Sequence, residues 1–291
     1  MRAWGIYREA EFSPGKVSAD AAIMDAVMAQ LRAAGIDTST SDPRRLPSSP
    51  HPVPDLVVAM CQSENALRAL ATLEEAGALV INSALAIRNC YRDLMGPGLA
   101  RAGVPCPRGA LLEATATPDK WQLDGIDPVR GLYVKRGDLH ALDANDVCRV
   151  DGQASLETAV AGFANRGVRR VYVQQEAAGR VIKFYGVSGG EYFAAIDDGG
   201  ALPDAAERRL RQWAERAASA LGLETWGGDA VLDSNDNDVT IIDFNDWPSF
   251  GRVRNEAARA IARRCQMLLR RPRRIVSAAA PATHRPGDND S

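Results

Sequence analysis

The sequence predicts an α/β unit followed by an α+β body, and three features predict it. As far as Ser83, short apolar runs alternate with segments of helical period, the rhythm of a parallel sheet with crossover helices. Beyond Gly131 the texture changes to closely spaced short strands with turn residues between them, broken by one helical stretch. Near the end, "DAVLD" and "VTIIDFN" flank the polar run "SNDND", which has the length of a β-hairpin loop.

Taken in order, "MRAWGIY" reads as a first strand, and Ile23, Met24, Val27, Met28 and Leu31 give helical spacing up to Gly35. Residues 37 to 54 are rich in Ser and Pro and are expected to be loop. "DLVVAM" is a buried-strand run, Ser63 is placed to cap a helix carrying Leu67, Leu70 and Leu73, and "ALVINS" is the next strand. "ALAIRNCYRDLMGPGLARAG" is helix-rich. The prolines of "VPCPRGALL" allow only an edge strand or the start of one. "GLYVK", "VCRV", "RVYVQQE", "RVIKFYGVSGG" and "EYFAAI" read as strands, with one helix around Leu156, Val160 and Phe163. Asp204 and Glu207 form a D-x-x-E capping box for a helix expected to bury Leu210, Trp213, Ala217 and Leu221. A final helix carries Ala258, Ile261, Cys265 and Leu269, and residues 272 to 291 have too little to bury and are expected to be disordered.

The bulk properties narrow the function classes. A chain of 291 residues, 46% hydrophobic and 25% charged, can bury a substantial core and hold two or three modest domains. Its 35 basic and 37 acidic residues give a net charge of −2, which disfavours nucleic acid and anionic membranes as partners. "MRAWGIYREAEF" lacks the apolar run of a signal peptide, and no stretch approaches the ~20 apolar residues of a membrane span. A cytoplasmic chain is expected. Its five cysteines are scattered and never form C-x-x-C, so they read as small buried hydrophobes and not as a disulfide framework or a thiolate zinc site.

The hairpin carries the chemistry. If Asp233 pairs with Val239, antiparallel counting places Asp229 opposite Asp243, and Asn245 shares a face with Asp243 about 7 Å further along. Carboxylates opposed across a ladder have Cβ atoms only ~4.5 to 5.5 Å apart. That is repulsive unless one is protonated, a cation lies between them, or both are edge residues pointing to solvent. A divalent cation is the simplest remedy. With oxygen ligands alone, the site suits Mg2+ or Mn2+ and argues against zinc. "DSNDND" resembles the start of a calcium-binding EF-hand loop, but Asp238 stands where Gly is needed and Phe244 where the bidentate Glu is needed. "EFSPGKV" and "GPGLARAG" likewise lack the residues of the phosphate-binding glycine loops.

With "YVKRGDLHA", "VYVQQEAAG" and "VIKFYGV" ahead of the hairpin in this order, the chain resembles the ATP-grasp superfamily across roughly residues 85 to 255. The resemblance implies a Rossmann-like amino-terminal domain, residues 1–88, then central (89–176) and carboxy-terminal (177–271) α+β domains whose antiparallel sheets hold ATP between them. It implies Lys135 on the α- and β-phosphates, and a hinge of Gln174, Gln175, Glu176 and Ala177 against adenine and ribose. Lys183 would meet the transferring phosphate, and Asp229, Asp243 and Asn245 would hold the metal. The chain departs from the family in having Arg92 where many relatives have Lys, a phosphate-covering loop with a single Gly, and Ser249 where relatives often have Gly. His140, in K-x-G-x-x-H, is similar to the synapsin and inositol-phosphate kinase branches. Arg252 and Arg254 are candidates to grip an acidic substrate.

The activity this implies is an ATP-dependent carboxylate-amine ligase acting through an acyl phosphate, with Lys183, Arg92 and His140 stabilising the transferring group. Its partners would be a small carboxylate and an amine. A small-molecule kinase and a non-catalytic ATP-binding regulator are the alternatives. The acceptor and the oligomeric state are not legible.

Overall fold

The computed structural model describes residues 1–46, 52–137, 144–235 and 238–271. Three four-stranded sheets organise them. The first is parallel, in the order β2-β1-β3-β4, from β1 (Arg2–Ile6), β2 (Asp37–Ser41), β3 (Leu56–Ala59) and β4 (Leu79–Ile81). α1 (Val17–Ala33) and α7 (Arg254–Arg270) pack on one face, against Ala3, Leu56 and Val58, while α2 (Glu64–Glu75) and α3 (Ala84–Asn89) cover the other, against Ile6, Val57 and Ala59. A sheet buried on both faces needs apolar residues at every position, which is why "LVVA" reads as an unbroken run. Gly5 leaves room for the methionines of α1 to lie against the sheet: a Cβ there would lie 2.8 Å from the Met24 sulfur and 3.0 Å from the Met28 sulfur, so both side chains would have to shift.

β2 corrects the expectation of loop through 37 to 54. "DTSTS" has no apolar alternation to announce it, but at the edge of the sheet it pairs only with β1 and leaves most of its residues in contact with solvent. Its β-branched threonines suit an extended backbone.

The second sheet is antiparallel, in the order β5-β8-β6-β7: β5 (Gly109–Glu113), β6 (Leu132–Arg136), β7 (Val147–Val150) and β8 (Arg170–Gln175). The proline-led β5 is an edge strand, and α5 (Gln153–Asn165) buries Leu156, Val160 and Phe163 on the sheet. The third sheet, also antiparallel, runs β10-β9-β11-β12: β9 (Arg180–Val187), β10 (Tyr192–Ile196), β11 (Thr225–Leu232) and β12 (Val239–Asn245). α4 (Arg92–Arg101) and α6 (Asp204–Leu221) cover it.

Two details of α6 differ from expectation. Pro203 occupies the cap position and no side chain caps the helix, so the D-x-x-E box is not made. Asp204 instead lies inside the first turn, where its charge and that of Glu207 complement the helix dipole. Trp213 is only half-buried, because the period running from Leu210 to Ala217 and Leu221 passes through Ala214. In α7, Leu269 is likewise only half-buried.

Residues 272–291, expected to be disordered, lie outside the described residues. Among the described residues, no helix is long and apolar enough to cross a membrane.

Candidate active site

β11 and β12 bring Asp229 opposite Asp243 and Gly227 opposite Asn245. The route differs from an unbroken count. The ladder begins one residue earlier, with Leu232 opposite Val239, and shifts register between Ala230 and Asp229, leaving Ile242 as the extra residue of a β-bulge. The two one-residue differences cancel. The bulge also has a chemical consequence: the Ile242 carbonyl accepts from Lys135 Nζ at 3.3 Å and from Gln174 Nε2 at 3.4 Å. Bulges commonly re-aim groups beside functional sites.

Asp229 lies between two strands, opposite Lys183 of β9 as well as Asp243, and Lys183 Nζ stands 3.1 Å from its Oδ1. The Asp229 charge lifts the Lys183 pKa above the ordinary value. On the other side, Arg92 at the start of α4 is buried, donates from Nη1 to the Arg136 carbonyl at 3.1 Å, and holds Nη2 3.7 Å from Asp243 Oδ2. The acidic pair is therefore flanked by a cation at each end. Its donors are two facing carboxylates and one amide, all oxygen, and this set fits a hard divalent cation.

Lys135, at 7% exposure, is nearly enclosed, with Nζ 2.7 Å from Gln174 Oε1. Burial pulls its pKa down and the nearby Asp243 charge opposes that shift. A buried ammonium costs free energy that only an anionic neighbourhood offsets.

Two cavities meet at the acidic pair. A larger one, about 530 Å³, lies between the two antiparallel sheets, with Lys135, Tyr133, Val181 and Ile242 in its wall. Gln174, Gln175, Glu176 and Ala177 also line it. The Gln175 and Glu176 amides donate to the Arg108 and Gly131 carbonyls, both at 2.8 Å, and the Glu176 carboxylate forks onto Arg149 at 2.7 and 2.8 Å. Those bonds hold the Glu176 pKa below the usual range. A smaller cavity, about 280 Å³, opens toward the parallel sheet and is lined by Arg8, Lys16, Lys183, Tyr185, Asn245 and Ser249. Asp229, Asp243 and Arg92 border both.

Arg252 and Arg254 do not join this arrangement. Neither lines either of these two cavities; Arg252 is exposed and paired with Asp198 at 2.8 Å, and Arg254 begins α7. His140 lies outside the described residues. Sequence reasoning missed Arg8, Lys16 and Gln62 in the smaller cavity. A signal existed for two of them: Arg8 and Gln62 follow the carboxyl ends of parallel strands, where open α/β sheets bind ligands.

No family model and no curated protein matches the sequence. Solved structures do match. The chain is similar to a D-alanine–D-alanine ligase from Bacillus anthracis complexed with ATP, at a TM-score of 0.71 and 12% identity over 92% of this chain and 98% of that one. It is similar to the VanG D-Ala:D-Ser ligase from Enterococcus faecalis, with a TM-score of 0.68 and 14% identity over 92% and 99% of the two chains. A RimK domain protein, ATP-grasp, from Sphaerobacter thermophilus matches at a TM-score of 0.65 and 18% identity over 91% and 100%. A parallel sheet followed by two antiparallel sheets, superposing on these structures over nine-tenths of its length, identifies the chain as having the ATP-grasp fold.

Proposed function

We propose that this chain is an ATP-dependent carboxylate-amine ligase, with residues 1–88, 89–176 and 177–271 as its three functional units and the cytoplasm as its compartment. The observation that carries the reading is the position of Asp229 and Asp243 at the junction of two cavities. One suits a nucleotide and the other a small acceptor. The ligase names of the Bacillus and Enterococcus structures support the same reading.

In this reading the larger cavity takes ATP, with its base against the segment from Gln174 to Ala177. Because the Gln175 and Glu176 amides are already engaged, the base edge is left to the Ala177 amide and the carbonyls of the segment. Lys135 and Arg92 meet the phosphates, Arg92 through a guanidinium able to bind them bidentately. Asp229, Asp243 and Asn245 would hold Mg2+ or Mn2+, which supplies charge neutralisation on phosphate oxygens when bound. Lys183 stands beside Asp229 at the mouth of the smaller cavity, placed to stabilise the phosphoryl group in transit. An acceptor carboxylate oxygen attacks the γ-phosphorus and ADP leaves. The amine then attacks the acyl carbon of the resulting acyl phosphate, and inorganic phosphate leaves. The acceptor is gripped by Arg8 and Lys16, in place of Arg252 and Arg254.

A panel of carboxylate and amine pairs, assayed for phosphate release with ATP and Mg2+ and with Asp243→Asn as the blank, tests this. Release that requires both an acid and an amine is the expected result. Phosphate retained on a hydroxylated product would replace the ligase by a kinase, and ATP binding without turnover on any pair would leave only a regulator.

A further inference from the structure

Three adjacent strands of the parallel sheet end at one place. Arg8 follows β1, Gln62 follows β3 and Asn82 follows β4. Each sends its side chain to the two residues directly after Asn245. Arg8 Nη2 donates to the Trp247 carbonyl, Gln62 Nε2 donates to Asp246 Oδ1 at 2.8 Å, and Asn82 Nδ2 donates to the Asp246 carbonyl. Asp246, Asn82 and Trp247 are fully buried, and Gln62 is nearly so.

Gln62 is itself tightly held. Its backbone N–H donates to Glu9 Oε2 at 3.0 Å and its backbone carbonyl accepts from the Tyr91 hydroxyl, so the main chain from which the side-chain amide reaches Asp246 is fixed. A carboxylate without solvent contact must take its hydrogen bonds from the protein, so the Gln62 amide constrains where Asp246 sits. Asp246 is joined by one peptide bond to Asn245, and Gln62 lines the smaller cavity beside Asn245.

We propose that Gln62 is a positioning residue for the cation site, fixing Asn245 through its bond to Asp246, so that the amino-terminal sheet sets the geometry of a site built on the carboxy-terminal one. The inference rests on the reading of Asp229, Asp243 and Asn245 as cation ligands. Groups bonded directly to a ligand typically govern 10- to 100-fold in metal affinity, and Gln62 acts one residue removed from Asn245, so the lower end of that range is expected.

The test uses the full chain with Mn2+ as probe, titrated by electron paramagnetic resonance in the presence of a non-hydrolysable ATP analogue. Gln62→Leu is expected to weaken Mn2+ binding about tenfold or more and to broaden the bound Mn2+ spectrum. Its circular dichroism, and its affinity for the analogue in EDTA, stay as in wild type. Gln62→Asn, which keeps the amide but shortens its reach, is expected to weaken Mn2+ about threefold or more, a partial form of the roughly tenfold loss in Gln62→Leu. Wild-type Mn2+ affinity in a folded Gln62→Leu overturns the proposal. If Gln62→Leu does not fold, wild-type affinity in Gln62→Asn overturns it equally. The underlying reading fails separately: wild type would not bind Mn2+, or Asp243→Asn would bind it as well as wild type does.

Discussion

Lys135 shows how much a single position can carry. Its ammonium is almost enclosed, burial pulls its pKa down, and it is held by Gln174 and by the carbonyl that the β12 bulge presents. Replacing it with Met keeps the length of the side chain and removes the charge. Lys135→Met is expected to lower ATP affinity about tenfold or more, as befits loss of a charge-assisted bond worth roughly 1.5–3 kcal/mol, read by calorimetric titration. Unchanged affinity would remove Lys135 from the nucleotide site. At this scale the sequence was legible where spacing is local. Asp243 and Asn245 share a strand, and Asp229 lies one hairpin away. Arg252 and Arg254 stand apart because nearness in sequence ends at the turn: the chain passes Pro248, takes a left-handed conformation at Phe250 (φ +54°), and leaves both arginines outside the walls of the two cavities. Arg8 and Gln62 reach residues 239 and 184 positions away, a distance no local pattern encodes.

At the scale of elements, the hairpin of β11 and β12 depends on close backbone approach. A Cβ on Gly228 would lie 2.2 Å from the Asp243 carbonyl oxygen and 2.6 Å from the Phe184 ring. Since the first of these neighbours is backbone, it can yield only by distorting the ladder that sets the acidic pair. Gly228→Ala should therefore cost about 2–3 kcal/mol, measured as a lower urea midpoint, and should weaken divalent-cation binding with it. An unchanged midpoint would mean that the strands separate without penalty. The bulge at Ile242 was invisible in the sequence, since an apolar residue in an apolar run carries no mark of being unpaired. β2 was hidden for the opposite reason: an exposed edge strand needs no apolar residues. Helices with a full apolar stripe, such as α1 and α2, were legible because burial forces the period.

At the scale of the whole molecule, the three sheets of the described residues leave cavities where they meet, and the proposed chemistry is placed there and not in their cores. Alternating runs and turn residues disclosed the sheets, but the cavities between them arise from contacts such as Lys135 with the Ile242 carbonyl, which join different sheets. Only an ordered series of weak motifs, matched to a known family, pointed to that arrangement in advance. Asp229, Asp243 and Asn245 are proposed to gather a divalent cation at the junction of the two cavities, where the triphosphate of ATP would end. Calorimetric titration of ATP into wild type and into Asp243→Asn, each with Mg2+ and again with EDTA, tests it most directly. Mg2+ is expected to tighten ATP binding to wild type by about tenfold or more, on the order of 1.4 kcal/mol, and this gain is expected to disappear in a folded Asp243→Asn. A variant that keeps the full Mg2+-dependent gain would contradict it.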